Sequence, residues 1–402
     1  MRVLIQSGDV FMTNSAGKKA LIIGVLCIAT YLINYYLRNM LSVFSPQLYE
    51  TGSFTVEQVG LLSSTYMVLY AIGQLVNGFL GDFLSPKKII TIGISVAGLS
   101  YVIFPFVKLQ ILQLICFAIL GFGLSMFRGP LMKIISENTK ANHARVICVF
   151  FSFASCAGPL IASMLALLNN WMISFVIAGV IALLCAVVVF IVFTRMESKG
   201  TLTYAITKSD GIRSILAVFK IERVTFFLII TCVIEIVSTS VIFWIPTYLT
   251  SVLNFDNTTA NLIYSASSVL RALMSFVTLF VFKLLHERDI PMLRACFAIS
   301  TLMFGFMIFA GNKWLNLAFL FVALLAISMA STLLWSIYIP SLGKTGRVSS
   351  INGVIDGVGY VAAAVSTTLF ATAMENVGWS LVIVMWVIVA AVGVAATFYK
   401  SK

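Results

Sequence analysis

Five ionisable residues lie well inside long apolar runs of this 402-residue chain: Arg38, Arg128, Glu235, Arg271 and Asp356. An arginine or aspartate at the centre of a membrane helix costs about 2.5–3.5 kcal/mol on insertion scales, so each should face a partner or a polar cavity. A guanidinium offers a planar fork that fits carboxylate or phosphate. A carboxylate can pair with that fork or exchange a proton. Arg38 shares one helical face with Asn34, Ser42 and Ser45, a polar stripe on an otherwise apolar helix. The stripe favours a ligand role for Arg38 over a structural one. Arg128 lies toward the end of its run, where a long side chain can snorkel to the interface. Glu235, on a face with Thr231 and Ser238, either pairs with Arg271 or takes a proton, and Arg271 suits an anionic ligand equally well. Asp356, among Gly353, Gly357 and Gly359, either bonds a helix end, pairs with an arginine or accepts a proton.

Long apolar segments must hold these charges. Sixty per cent of the residues are hydrophobic and ten per cent charged, which excludes a soluble globular protein. Twelve runs are long enough to span: Leu21–Leu48, Val59–Leu80, Ile89–Val107, Leu109–Ile134, Val146–Leu168, Trp171–Phe193, Val224–Leu249, Thr259–Phe282, Met292–Phe309, Trp314–Ile339, Val348–Ala373 and Val377–Tyr399. Their lengths predict helices, not barrel strands. The expected class is an all-α membrane protein with twelve transmembrane helices.

Lysine and arginine alternate correctly for both termini to be cytoplasmic. The opposite loops hold only Lys108 and Lys313, against Glu50, Glu57, Asp256 and Glu375. The net charge of +12 is thus a topology signal and not a nucleic-acid footprint. The expected setting is the cell membrane, with lipid around a multi-pass monomer.

The expected organisation is a cytoplasmic segment 1–20, a six-helix bundle 21–194, a cytoplasmic linker 195–223, a second bundle 224–399 and a tail 400–402. Weak repeats support it. Pro46 matches Pro246, Val68–Ala71 matches Val269–Ala272, and Ala144-Arg145-Val146 matches Gly346-Arg347-Val348, at offsets of about two hundred residues. A parallel duplication implies two bundles around a midplane cavity. Arg38 then corresponds to Ser238, and Tyr70 to Arg271, so the cavity is expected to be asymmetric.

Catalysis has no foothold in the sequence. The seven cysteines form no CxxC pair and read as small buried hydrophobes, so neither metal nor cofactor is expected. His143 and His286 fall in loops, read as solvated, with no nucleophile pattern near them. Gly343-Lys344-Thr345 is no phosphate loop, since Tyr338 stands where a glycine is required. The chain does not read as an enzyme.

Between the second and third runs, Gly78-x-x-x-Asp82 is followed by Pro86, Lys87 and Lys88. This resembles the corresponding loop of the major facilitator superfamily, where the acid and bases hold helix ends together on the cytoplasmic side. Phe83 departs from that pattern, standing where the family has an arginine. Tyr35-Tyr36-Leu37-Arg38-Asn39 with Pro46, and Trp244-x-Pro246-Thr247-Tyr248-Leu249, resemble the organophosphate:phosphate antiporters, which include the glycerol-3-phosphate and hexose-6-phosphate transporters. The resemblance implies the major facilitator fold, alternating access, and a substrate anion held by Arg38 with Asn34, Ser42, Tyr70, Gln74, Ser238 and Arg271 near it. Ser238 replaces the second arginine of the family's phosphate clamp, and Gln74 a lysine, which points to a ligand less charged than a phosphate dianion. The expected function is secondary transport of a small organic anion, with a counter-ion in exchange. The alternatives are a proton-coupled carrier of less polar solutes using Glu235 and Asp356, and a transporter-like membrane sensor.

Overall fold

Thr55 opens the second long helix with a reciprocal cap: its hydroxyl accepts from the Gln58 amide, and the Gln58 side chain accepts from the Thr55 amide. Asn170, Asp256 and Asn312 cap three further helix starts in the same spirit. Pro86 occupies a first helical position, where its missing N–H costs nothing. These polar punctuation marks divide an apolar chain into helices.

A computed structural model describes residues 15–166, 168, 170–206, 217–221 and 223–398. The helices are α1 Ser15–Glu50, α2 Val56–Phe83, α3 Pro86–Ile103, α4 Gln110–Leu124, α5 Arg128–Asn138, α6 Ala141–Ala166 and α7 Trp171–Ser198. They continue with α8 Val224–Ser251, α9 Asn257–Leu284, α10 Asp289–Phe309, α11 Lys313–Thr332, the short α12 Ile339–Ser341, α13 Val348–Asn376 and α14 Trp379–Ala396. The described residues are all-helical or irregular, without strands. Eleven helical segments among them are long and apolar enough to cross a membrane, α4 and α5 counting as one and α11 with α12 as another. The 26-residue α6 corresponds to the expected fifth run, Val146–Leu168, and its apolar stretch Ala141–Phe151 is shorter than those eleven. Met1–Asn14, most of the linker after Ile206 and the tail lie outside the described residues.

The chain divides into two compact units. Unit 1 comprises Met1–Val218 with Ile339–Gly357, and unit 2 comprises Phe219–Tyr338 with Val358–Lys402. In unit 1, α1 packs along α6, α2 along α4, and α3 along α7. Gly98 and Gly179 let α3 and α7 touch through backbone, since a Cβ on Gly98 would sit 2.9 Å from the Gly179 carbonyl. An aromatic cluster of Tyr101, Phe104, Phe117 and Phe175 fills one end. In unit 2, α10 packs on α11 and α14, and α8 on α14, where Trp386 donates to the Ser240 hydroxyl at 3.0 Å. Many exposed side chains are large and apolar, such as Leu21, Val25, Leu184 and Leu302, as a lipid-facing surface requires.

Two expected helices are interrupted. The run Leu109–Ile134 breaks at residues 125–127, between α4 and α5. The run ending at Ile339 widens into a π-helix over Leu333–Tyr338, where Tyr338 stacks on Phe227 at 3.6 Å. His143, expected to be solvated, is buried near the start of α6, while His286 is exposed as anticipated. The six described cysteines are free thiols, three of them buried.

Candidate functional site

The break between α4 and α5 is built by side chains from other helices. Asn34 of α1 donates to the Leu124 carbonyl at 2.7 Å, satisfying an acceptor that the end of α4 leaves open. Asn77 of α2 donates to the Phe122 carbonyl at 3.2 Å and to the Ser125 hydroxyl at 2.6 Å. Arg128 follows at once as the first residue of α5.

Arg128 does not snorkel to the interface as the sequence suggested. Its Nη1 donates to Oδ1 of Asp356 at 3.1 Å, and both residues belong to unit 1. The Asp356 side chain is 6% exposed, and its Oδ2 has no hydrogen-bond partner among the described residues. Arg38 lies over the Tyr70 ring at 5.1 Å and the Tyr35 ring at 5.9 Å. It is also within Coulombic reach of Asp356. Tyr31, Tyr35 and Tyr70 stand within the same range of Arg128. Unit 1 therefore gathers two guanidinium groups, one carboxylate and three tyrosines within its membrane-spanning part.

The remaining sequence-predicted residues fall around this cluster or apart from it. Asn34 is buried, and its Nδ2 is engaged with the Leu124 carbonyl at the break. Gln74, one turn beyond Tyr70, is buried with its Nε2 unpartnered among the described residues. Ser42 is exposed, and its carbonyl accepts from the Ser45 hydroxyl. Glu235, Ser238 and Arg271 belong to unit 2. Glu235 lies against Gly359, where a Cβ would sit 2.9 Å from its Cγ. The Arg271 carbonyl accepts from Ser328 Oγ at 3.4 Å.

Asp82 is fully buried at the end of α2. Its oxygens accept from the Ser349 and Ser350 amides at 3.2 and 2.8 Å, at the start of α13. Its basic partner is Lys133 of α5, at 3.3 Å, and not Lys87 or Lys88. Lys133 thereby supplies the charge that Phe83 lacks. Lys87 instead pairs with Glu197, which also accepts from the Tyr204 hydroxyl, and Lys88 is exposed. Gly78 lets α2 meet α13, since a Cβ there would come within 2.7 Å of the Gly353 Cα.

Sequence reasoning missed Tyr31, Asn77 and Lys133. The tyrosines carried a usable signal, since Tyr31 and Tyr35 precede Arg38 by seven and three residues on one helical face. Asn77 and Lys133 carried none.

The profile of the Major Facilitator Superfamily matches residues 27–366. The probable sulfoacetate transporter SauU of Cupriavidus necator is 30% identical over 103 residues, covering 26% of this chain and 24% of that protein. The hexuronate transporter of Bacillus subtilis is 28% identical over 185 residues, covering 43% and 42%. The membrane sensor protein UhpC of Salmonella typhimurium is 22% identical over 161 residues, covering 38% and 36%. The matched stretches span less than half the length of these relatives. In fold, the chain resembles the crystal structure of the transporter FucP in its outward conformation, with a TM-score of 0.70 over 96% of this chain and 100% of that one, at 15% identity.

Proposed function

Because the chain belongs to the Major Facilitator Superfamily, we propose that it is a secondary active transporter of a small organic anion, bearing carboxylate, sulfonate or phosphate, with Arg38 as its main anion ligand. The observation that supports this reading is the arrangement in unit 1, with Arg128 on Asp356 and the Arg38 guanidinium over the Tyr35 and Tyr70 rings within the membrane-spanning part. A guanidinium within a membrane segment offers a planar fork suited to a carboxylate, sulfonate or phosphate. The sulfoacetate and hexuronate transporters among the relatives support the substrate class. Alternating access between two six-helix bundles in the cell membrane, with both termini cytoplasmic, completes the reading. Labelling of a Lys199→Cys variant from the cytoplasmic side only is the expected topological result.

Counterflow of sulfoacetate, glucuronate and glucose 6-phosphate in proteoliposomes tests the function. At least one should exchange, and Arg38→Ala should abolish it. Unchanged exchange in Arg38→Ala would overturn the assignment. The membrane sensor among the relatives favours a second reading, in which the same anion site signals to a partner. A signalling protein that co-purifies in an anion-dependent manner would support it.

A further inference from the structure

The linker does not leave unit 1 directly after α7. Gly200 turns the chain in the left-handed conformation (φ +65), with its amide on the Glu197 carbonyl at 2.9 Å. The residues that follow lie against the start of α3 and the end of α5. There the Asn138 side chain bonds Thr203 as a neighbouring strand would. Its Oδ1 accepts from the Thr203 amide at 2.8 Å, and its Nδ2 donates to the Thr203 carbonyl at 2.8 Å. Glu137 Oε2 accepts from the Ala205 amide at 2.9 Å. The Tyr204 hydroxyl donates to Glu197 and is bonded to Ser85 Oγ at 2.9 Å, while Leu202 is buried. Irregular backbone bonded in this way to side chains of other elements is a docked strap.

Its anchorage at α5 matters because of how that helix is held. The helix has eleven residues and is severed from α4 by the break at residues 125–127. It carries Arg128 at one end and Asn138 at the other, and Lys133, five residues from each, is held by Asp82. A helix held at one point can still tilt about it, and its two arms, about 7.5 Å each, then move in opposite directions. The Asn138–Thr203 pair is a second hold. It fixes the axis of α5, and with it the place of Arg128 beside Asp356, a carboxylate also within Coulombic reach of Arg38.

We propose that Asn138 is a positioning residue for the anion site, and that the strap Gly200–Ala205 couples linker docking to anion affinity through α5. The proposal rests on the anion-transporter reading. Such coupling is reciprocal: if the docked strap favours anion binding, a bound anion favours the docked strap by the same factor. Leu202 is 3% exposed in the strap, and nearby Lys199 is exposed. In purified full-length protein, the rate at which a maleimide modifies Leu202→Cys above the wild-type background therefore measures strap opening, with Lys199→Cys as the control. The ligand is whichever of glucuronate, sulfoacetate and glucose 6-phosphate exchanges in proteoliposomes. At saturation it should slow modification of Leu202→Cys roughly fivefold and leave Lys199→Cys unchanged. Asn138→Ala should speed modification of Leu202→Cys without ligand and weaken anion affinity by about the same factor. Ligand-independent modification in a Leu202→Cys protein that exchanges the anion overturns the proposal. So does an Asn138→Ala protein that loses thermal stability and keeps its anion affinity. Both results leave the anion reading intact. Exchange of none of the three anions by the wild-type protein overturns both.

Discussion

Lys133 reaches Asp82 at 3.3 Å with both side chains sealed from solvent. Removing one member leaves the other charge buried without compensation, which costs about 3–5 kcal/mol. Lys133→Met should lower thermal stability sharply, and adding Asp82→Asn should recover part of the loss. Thermal unfolding in detergent checks this, and strictly additive losses would show that the two charges act separately.

The bond from Asn34 to the Leu124 carbonyl makes a different prediction, because it acts on Arg128 through the helix break. Asn34→Leu strands a buried acceptor, at about 1–3 kcal/mol. Anion affinity should fall along with stability. Unchanged affinity in a destabilised protein would mean that Asn77 and Ser125 hold the break unaided.

The proposed anion role of Arg38 rests on shape as well as charge. Arg38→Lys keeps the charge and loses the planar fork. Charge-assisted hydrogen bonds are worth about 1.5–3 kcal/mol each, so anion affinity should fall roughly tenfold or more with expression unchanged. Isothermal titration with whichever of the three test anions exchanges measures it, and affinity equal to the wild type would reduce Arg38 to a point charge.

Glu235 and Arg271 stand on the neighbouring helices α8 and α9 of unit 2. We expect them to be coupled. Glu235→Gln should destabilise the protein, and Arg271→Gln in that background should restore part of the loss, with a coupling on the order of 1–3 kcal/mol. Additive effects would favour Arg271 as an independent ligand group.

Much of the fold is legible in the chain because hydropathy reports where a helix can cross a membrane. Hydropathy does not report where such a helix breaks. Across residues 125–127 of the run Leu109–Ile134 only Ser125 is polar, and the break is stabilised by Asn34 and Asn77 from helices distant in sequence. The buried charges were visible singly, each by its cost in lipid. Their pairing was not: Arg128 and Asp356 are 228 residues apart, and Lys133 lies 51 residues beyond Asp82. The family pattern drew attention to the adjacent lysines, yet Lys87 pairs with Glu197 while a helix that pattern did not single out supplies the partner of Asp82.

The guanidinium of Arg38 over Tyr35 and Tyr70 also gives the site an optical reporter of its own. A cation over a phenol ring shifts the ring's electronic levels, so an anion that draws Arg38 aside changes the near-ultraviolet absorption of those tyrosines. A difference spectrum should then count occupied sites with no label attached, and Tyr70→Phe should remove a defined part of it. On the Arg38 reading, a ligand search can follow the absorption of these two rings without a substrate known in advance.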